Sequence, residues 1–212
     1  MSLIISASSG GSFEPRKPIP AGAYAAVLDL VADLGVQPSP GGQFAPKRTV
    51  VLRFQIPEIR VEITQNGETK DLPAVISRTV GLSLNEKSTL YGLLTSWRGK
   101  AFTPEELRRF DLSVIAGKPA FINVTHSVKG DRTYANLTSI MPLPKSIPAP
   151  VLEGKALVYS TDTPDAAVFD QLPAWIQDRI ANRIIDAPKV APKAAAKPAA
   201  TKEAFADDSL AF

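Results

Sequence analysis

A mainly β fold of five strands, with a helical insert between strands three and four, is predicted by three observations. Period-two alternation of apolar residues recurs in segments bounded by Gly, Pro and Asn turns. Between Leu82 and Lys118 that period gives way to helical spacing, opened by capping-box patterns. The 212 residues are 44% hydrophobic, enough to bury a sizeable core over most of the chain.

Residues 1–20 mix Ser and Gly with three prolines and form an extended or disordered lead-in. From Gly22 to Val36, Ala26, Leu28, Leu30, Ala32 and Leu34 alternate with Val27, Asp29, Val31 and Asp33, which predicts a long first strand with one apolar face. The segment QPSPGGQFAPK is a loop. RTVVLRFQIP then alternates Val50, Leu52, Phe54 and Ile56 against Val51, Arg53 and Gln55, a second strand. Residues 59–64 and 75–82 alternate around the turn-like Asn66-Gly67, as two further strands or one interrupted strand.

Ser83-Leu84-Asn85-Glu86 has the form of a capping box, and Leu90, Leu93, Leu94 and Trp97 follow at helical spacing, ended by Gly99. A second box, Thr103-Pro104-Glu105-Glu106, opens a short helix through about Phe110. Ala120, Ile122 and Val124 return to strand alternation, and Lys129-Gly130-Asp131 turns the chain into Thr133–Met141. Prolines in PLPKSIPAP close a domain spanning 21–150.

Residues 151–186 form an extension: a short strand within LEGKALVYS, then an amphipathic helix over 172–185 with Trp175, Ile176, Ile180 and Ile184 on one stripe. That stripe packs on the body or meets a partner. Residues 187–202 reduce almost to Ala, Pro and Lys, a composition that cannot offset the entropy of ordering and predicts a tether. Residues 203–212 form an acidic tip.

With no Cys and one His, a disulfide framework, a thiolate nucleophile and a multi-His metal centre are all excluded. His126 reads as a packed or surface side chain. Glu105 and Glu106 complement a helix dipole, and no phosphate-cradling glycine pattern occurs. Asp29, Asp33, Glu58 and Glu62 read as polar strand faces, too dispersed for a carboxylate cluster. The sequence therefore predicts no enzyme, cofactor or metal. It shows no membrane span or signal peptide and reads as cytoplasmic.

Charge is unevenly placed: the basic excess lies in residues 1–150, and the remainder is slightly acidic. Lys47, Arg48 and Arg53 flank strand two; Arg78 lies on the next strand; Arg98 and Lys100 follow the helix; Lys129, Arg132 and Tyr134 belong to the hairpin. Cations track phosphates while aromatic faces stack on unpaired bases, so this set predicts contact with single strands. Tyr134 is the foremost stacking candidate, with Tyr24 and Tyr91 next; Phe54, Trp97 and Phe121 occupy positions that look like core.

The tip combines Asp207 and Asp208 with Leu210 and Phe212, an apolar anchor beside carboxylates that suits a pocket next to Arg or Lys on another protein. A basic β-rich body, an Ala/Pro-rich tether and the ending Asp207-Asp208-Ser209-Leu210-Ala211-Phe212 resemble bacterial and bacteriophage single-stranded-DNA-binding proteins. Residues about 20–145 resemble a group of tailed-phage proteins of that class through Ser83–Ser88, Ser96–Lys100, Phe102–Glu106, Phe110–Leu112, Gly117–Pro119 and Thr133–Asn136. The resemblance implies a five-stranded Greek-key barrel of OB type, sequence-independent coating of single-stranded DNA during replication or recombination, and recruitment of partner enzymes by the tip. Ala211 stands where bacterial tails tend to carry proline. A homodimer is a further expectation, since an open barrel edge invites pairing. The alternative is a structural or adaptor β-domain, such as a virion component, acting only through protein contacts.

Overall fold

The computed structural model describes residues 17–65 and 68–185. The N-terminal lead-in up to residue 16, the Asn66-Gly67 turn, the tether and the acidic tip with Asp207, Asp208, Leu210 and Phe212 lie outside the described residues.

Five antiparallel strands form a curled half-barrel in the order β3-β2-β1-β4-β5. They are β1 (Gly22–Gln37), β2 (Lys47–Gln65), β3 (Glu68–Gly81), β4 (Pro119–Lys129) and β5 (Arg132–Met141). A sixth, β6 (Leu157–Tyr159), runs parallel to β1 and takes up its edge beyond the last β4 pair. Helices α1 (Thr89–Arg98) and α2 (Pro104–Arg109) lie between β3 and β4; α3 (Ala166–Phe169) and α4 (Ala174–Ala181) follow β6.

Two apolar clusters explain the layering. Ala26, Leu28, Leu52, Phe54, Ile122 and Ile140 fill the concave side, where α1 seats Leu90, Leu94 and Trp97. The Trp97 ring meets Phe54 edge-on at 5.6 Å, and its indole N–H donates to the Pro119 carbonyl. On the convex side Leu30, Ala32, Leu34 and Val51 are covered by Tyr159, Leu172, Ile176 and Ile180. Full burial of each large apolar side chain is worth about 1.5–3 kcal/mol, so the extension is held as firmly as a core helix.

β1 departs from its expected single apolar face. A bulge between Leu28 and Leu30 sends Ala26 and Leu28 inward but Leu30, Ala32 and Leu34 outward. Strict alternation persists in the residue numbers, yet one extra residue exchanges the faces. Asp29 and Asp33, expected on a polar face, are consequently buried, 2% and 6% exposed.

Several element boundaries also differ from expectation. β2 runs unbroken through Pro57 to Gln65, because a register shift between Ile56 and Arg60 absorbs the proline, and β3 starts at Glu68 rather than 75. α1 is capped by Ser88, whose Oγ accepts from the Tyr91 N–H at 3.2 Å, and not by Ser83. Ser83 Oγ and Asn85 Oδ1 instead accept from the N–H groups two residues onward, so local turns satisfy the backbone before the helix begins. α4 covers only 174–181 of the expected 172–185, α3 was not anticipated, and Trp175 lies off the buried stripe at 42% exposed. The Thr103 box forms as read, with both reciprocal bonds present.

Candidate nucleic-acid interface

Both hairpins outrun the first strand. The β1–β4 ladder ends at the Gly22–Val124 pair and the β1–β2 ladder at Val27–Gln55, while β2–β3 pairing continues to Gln65–Glu68 and β4–β5 pairing to Lys129–Arg132. Two arms therefore diverge from one end of the half-barrel. Arg78 marks where they part: its Nη1 donates to the Leu137 and Thr138 carbonyls of β5, 2.8 Å each, joining the otherwise unpaired β3 and β5 edges.

Between the arms lies an open groove of about 1260 Å³. One wall is Val61, Ile63 and Pro73–Ser77, the other Asp131–Ala135 with His126, and Lys17–Ile19 also line it. His126 Nε2 donates to the Ile19 carbonyl at 2.7 Å, which fixes the entering chain against β4. Tyr134 is 45% exposed in this groove, and Arg132 and Lys129 face one another across the last hairpin rung. Gly130 makes the tight turn with φ of 57°. Asp131 is the acid among the lining residues, set against Lys17 and Arg132. The arrangement offers apolar walls, one aromatic face and cations at a rim, the chemistry of a stacking groove for an anionic strand.

The other sequence-derived candidates lie elsewhere. Arg53 is ion-paired to Asp29 at 2.8 Å on the convex side, and Gln55 Nε2 also donates to Asp29. Arg48 pairs with Asp33 at 2.5 Å and Asp162 at 2.7 Å. Arg98 bonds Glu106 and lies over the Phe102 ring, 4.2 Å from its centre. Arg78 is spent on the β5 carbonyls. Tyr24 is half-buried against the concave cluster and donates its hydroxyl to the Pro20 carbonyl at 2.9 Å. Lys47 is exposed at the far end of the half-barrel and Lys100 beyond α1. Of the expected contacts, the groove gathers Arg132 and Tyr134, with Lys129 on the rung opposite Arg132 just outside its lining; it adds Lys17, His126, Val61 and Ile63, which the sequence does not assign to it. The alternation of half-buried Ile59, Val61 and Ile63 with exposed Glu58, Arg60 and Glu62 in this arm is the available signal.

Buried carboxylates do structural work here. Burial pushes Asp33 upward, but hydrogen bonds from Arg48, the Thr161 hydroxyl and the Gly35 and Thr161 N–H groups outweigh it and hold the carboxyl below its usual value. These bonds tie β6 and its loop to β1. Because the folded-state value is depressed, this stabilisation is complete above the ordinary 3.8 and is lost as pH falls through the folded value. Acid melts should show a Tm that drops below about pH 4, and Asp33→Asn should remove part of that drop while lowering Tm at neutral pH. An unaltered acid limb in the variant would refute the assignment. The Arg98 guanidinium, helped by the Thr103 N–H, likewise holds Glu106 down to about 2.

Among the described residues, no three His, Asp or Glu side chains gather in a way that could hold a metal ion, and no helix is long and apolar enough to cross a membrane. No protein-family model matches the chain, and no curated protein matches it.

Proposed function

We propose that this chain binds single-stranded DNA without sequence preference and coats it during phage genome replication or recombination. The observation that carries this reading is the groove between the arms, which the exposed Tyr134 lines together with Arg132, Lys17 and apolar walls, with Lys129 on the rung opposite Arg132. Bases stack on the ring and the apolar walls; phosphates follow the cations. The strand order and the helical insert between β3 and β4 support treating the half-barrel as an OB-type barrel, a fold whose β2–β3 face and β4–β5 loop commonly carry oligonucleotides. No reaction is catalysed. The acidic tip, with Asp207, Asp208, Leu210 and Phe212, recruits replication or recombination enzymes.

The test is fluorescence anisotropy of labelled oligo-dT and of a duplex of equal length, across a salt series. The expected result is tight single-strand binding, weak duplex binding and a steep loss with salt; removal of 203–212 should tighten binding at low salt, because a competing tethered anion is gone. Absence of binding to either nucleic acid, with and without the tip, would overturn the reading and favour the adaptor alternative.

A further inference from the structure

At the end of the half-barrel opposite the arms, side chains from two distant stretches of chain come together. β1 ends at Gln37, whose ladder partner is Lys47 at the start of β2. The Gln37 side-chain amide donates to the Arg179 carbonyl at 2.9 Å, and the Ile184 N–H donates to the Val36 carbonyl at 2.9 Å, so the last turn of α4 is tied to that strand end. Arg183 lies across Gly35, where a Cβ would come within 2.6 Å of the Arg183 Cδ. The absence of a side chain at Gly35, with φ of 69°, is what lets this arginine settle there.

Burial of Ile176 and Ile180 turns the neighbouring Trp175 and Arg179 outward, with the guanidinium carbon 6.0 Å from the indole centre. The loop between β1 and β2 adds Phe44, 76% exposed. Among the described residues, Lys47, Arg179 and Arg183 make no salt bridge. Asp178, the adjacent acid on α4, leaves the set with a positive balance. An exposed indole beside cations that make no salt bridge repeats the chemistry of the arm groove at the other end of β1, about 50 Å along the strand at ~3.3 Å per residue.

We propose that this patch is a second contact site for the same DNA strand, reached only by strands long enough to leave the groove and run the length of the half-barrel. The inference rests on the single-stranded-DNA reading of the groove. The unneutralised charge favours a polyanion over an apolar protein surface as the occupant. Trp175 stacks a base, Lys47 and Arg179 hold phosphates, and the C-terminal extension thereby enlarges the site rather than only stabilising the fold.

Oligo-dT of about 10 nucleotides, within the span of a single groove, and of about 25 nucleotides separates the two sites. With the full chain, the longer strand should quench tryptophan fluorescence and the shorter should not, and Trp175→Phe should abolish the quench because Trp97 is buried. The slope of log K against log salt should be steeper for the longer strand. Lys47→Gln with Arg179→Gln should lower that slope by about 1.4, at ~0.7 per phosphate contact, and leave the shorter strand's slope unchanged. Circular dichroism melts establish that this double variant folds. Equal slopes for both lengths without a Trp175 quench would overturn the second site alone and assign the patch to protein contacts. Failure of both strands to bind would overturn the groove reading as well.

Discussion

Arg53→Met is expected to destabilise the protein by about 3–5 kcal/mol, a Tm loss on the order of 10 °C, without weakening the groove's hold on DNA. Arg53 was a candidate phosphate contact from its position on strand two. In the fold its guanidinium meets the Asp29 carboxylate, which is 2% exposed and, among the described residues, otherwise receives only the Gln55 amide. Removing the cation strands a buried charge. Removing both partners is a different matter, since well-packed apolar residues replace buried ion pairs at little cost or with a gain. The double variant Asp29→Leu, Arg53→Met should therefore recover most of the lost stability in thermal or urea melts. A mild effect of Arg53→Met, or a large loss of DNA affinity in protein shown to be folded, would return Arg53 to the binding surface. Gln55 is joined to the Glu153 backbone by bonds in both directions, so the single variant should also loosen the extension over β2.

Tyr134→Ala carries the second large expectation, a loss of about 1–3 kcal/mol in oligo-dT binding, roughly 5- to 150-fold in Kd. The ring is 45% exposed on a hairpin arm, so its truncation should leave thermal stability nearly unchanged. Tyr134→Phe should retain most of the affinity, because stacking uses the ring and not the hydroxyl. Lys129→Gln and Arg132→Gln should each lower the salt slope by about 0.7 while affecting all sequences alike. Wild-type affinity in Tyr134→Ala, measured by anisotropy, would remove the ring from the interface. Arg53 thus governs stability without binding, and Tyr134 binding without stability.

Much of the fold was legible where one local rule acted alone. The Thr103 box places proline, two acids and a hydroxyl within one turn, and both reciprocal bonds form even though Arg98 also bonds Glu106. The β4–β5 hairpin is fixed by alternation on both sides of a turn at Gly130. The Ser83 pattern satisfied the same capping rule and failed, because Asn85 offered the backbone a competing turn and Ser88 stood ready three residues before Tyr91. Trp175 lies off the apolar stripe because adjacent helical residues point about 100° apart, and burial of Ile176 and Ile180 leaves the indole on the solvent side.

Candidate contacts were least legible on the central strands, for a physical reason. A strand shows its neighbours in the sheet only after pairing, and the partners of Arg48 and Arg53 lie 15 and 24 residues earlier in the chain. By itself the sequence determined the β-rich body, the position of the helical insert, the hairpin carrying Lys129, Arg132 and Tyr134, and the change of composition after residue 186, since each depends on period, turn chemistry or charge within a short window. Only the tertiary structure decided which cations are free. The bulge at Asp29 carried two carboxylates into the protein, a buried carboxylate must be paired, and the arginines that pair with Asp29 and Asp33 are thereby withdrawn from the set that could meet a phosphate.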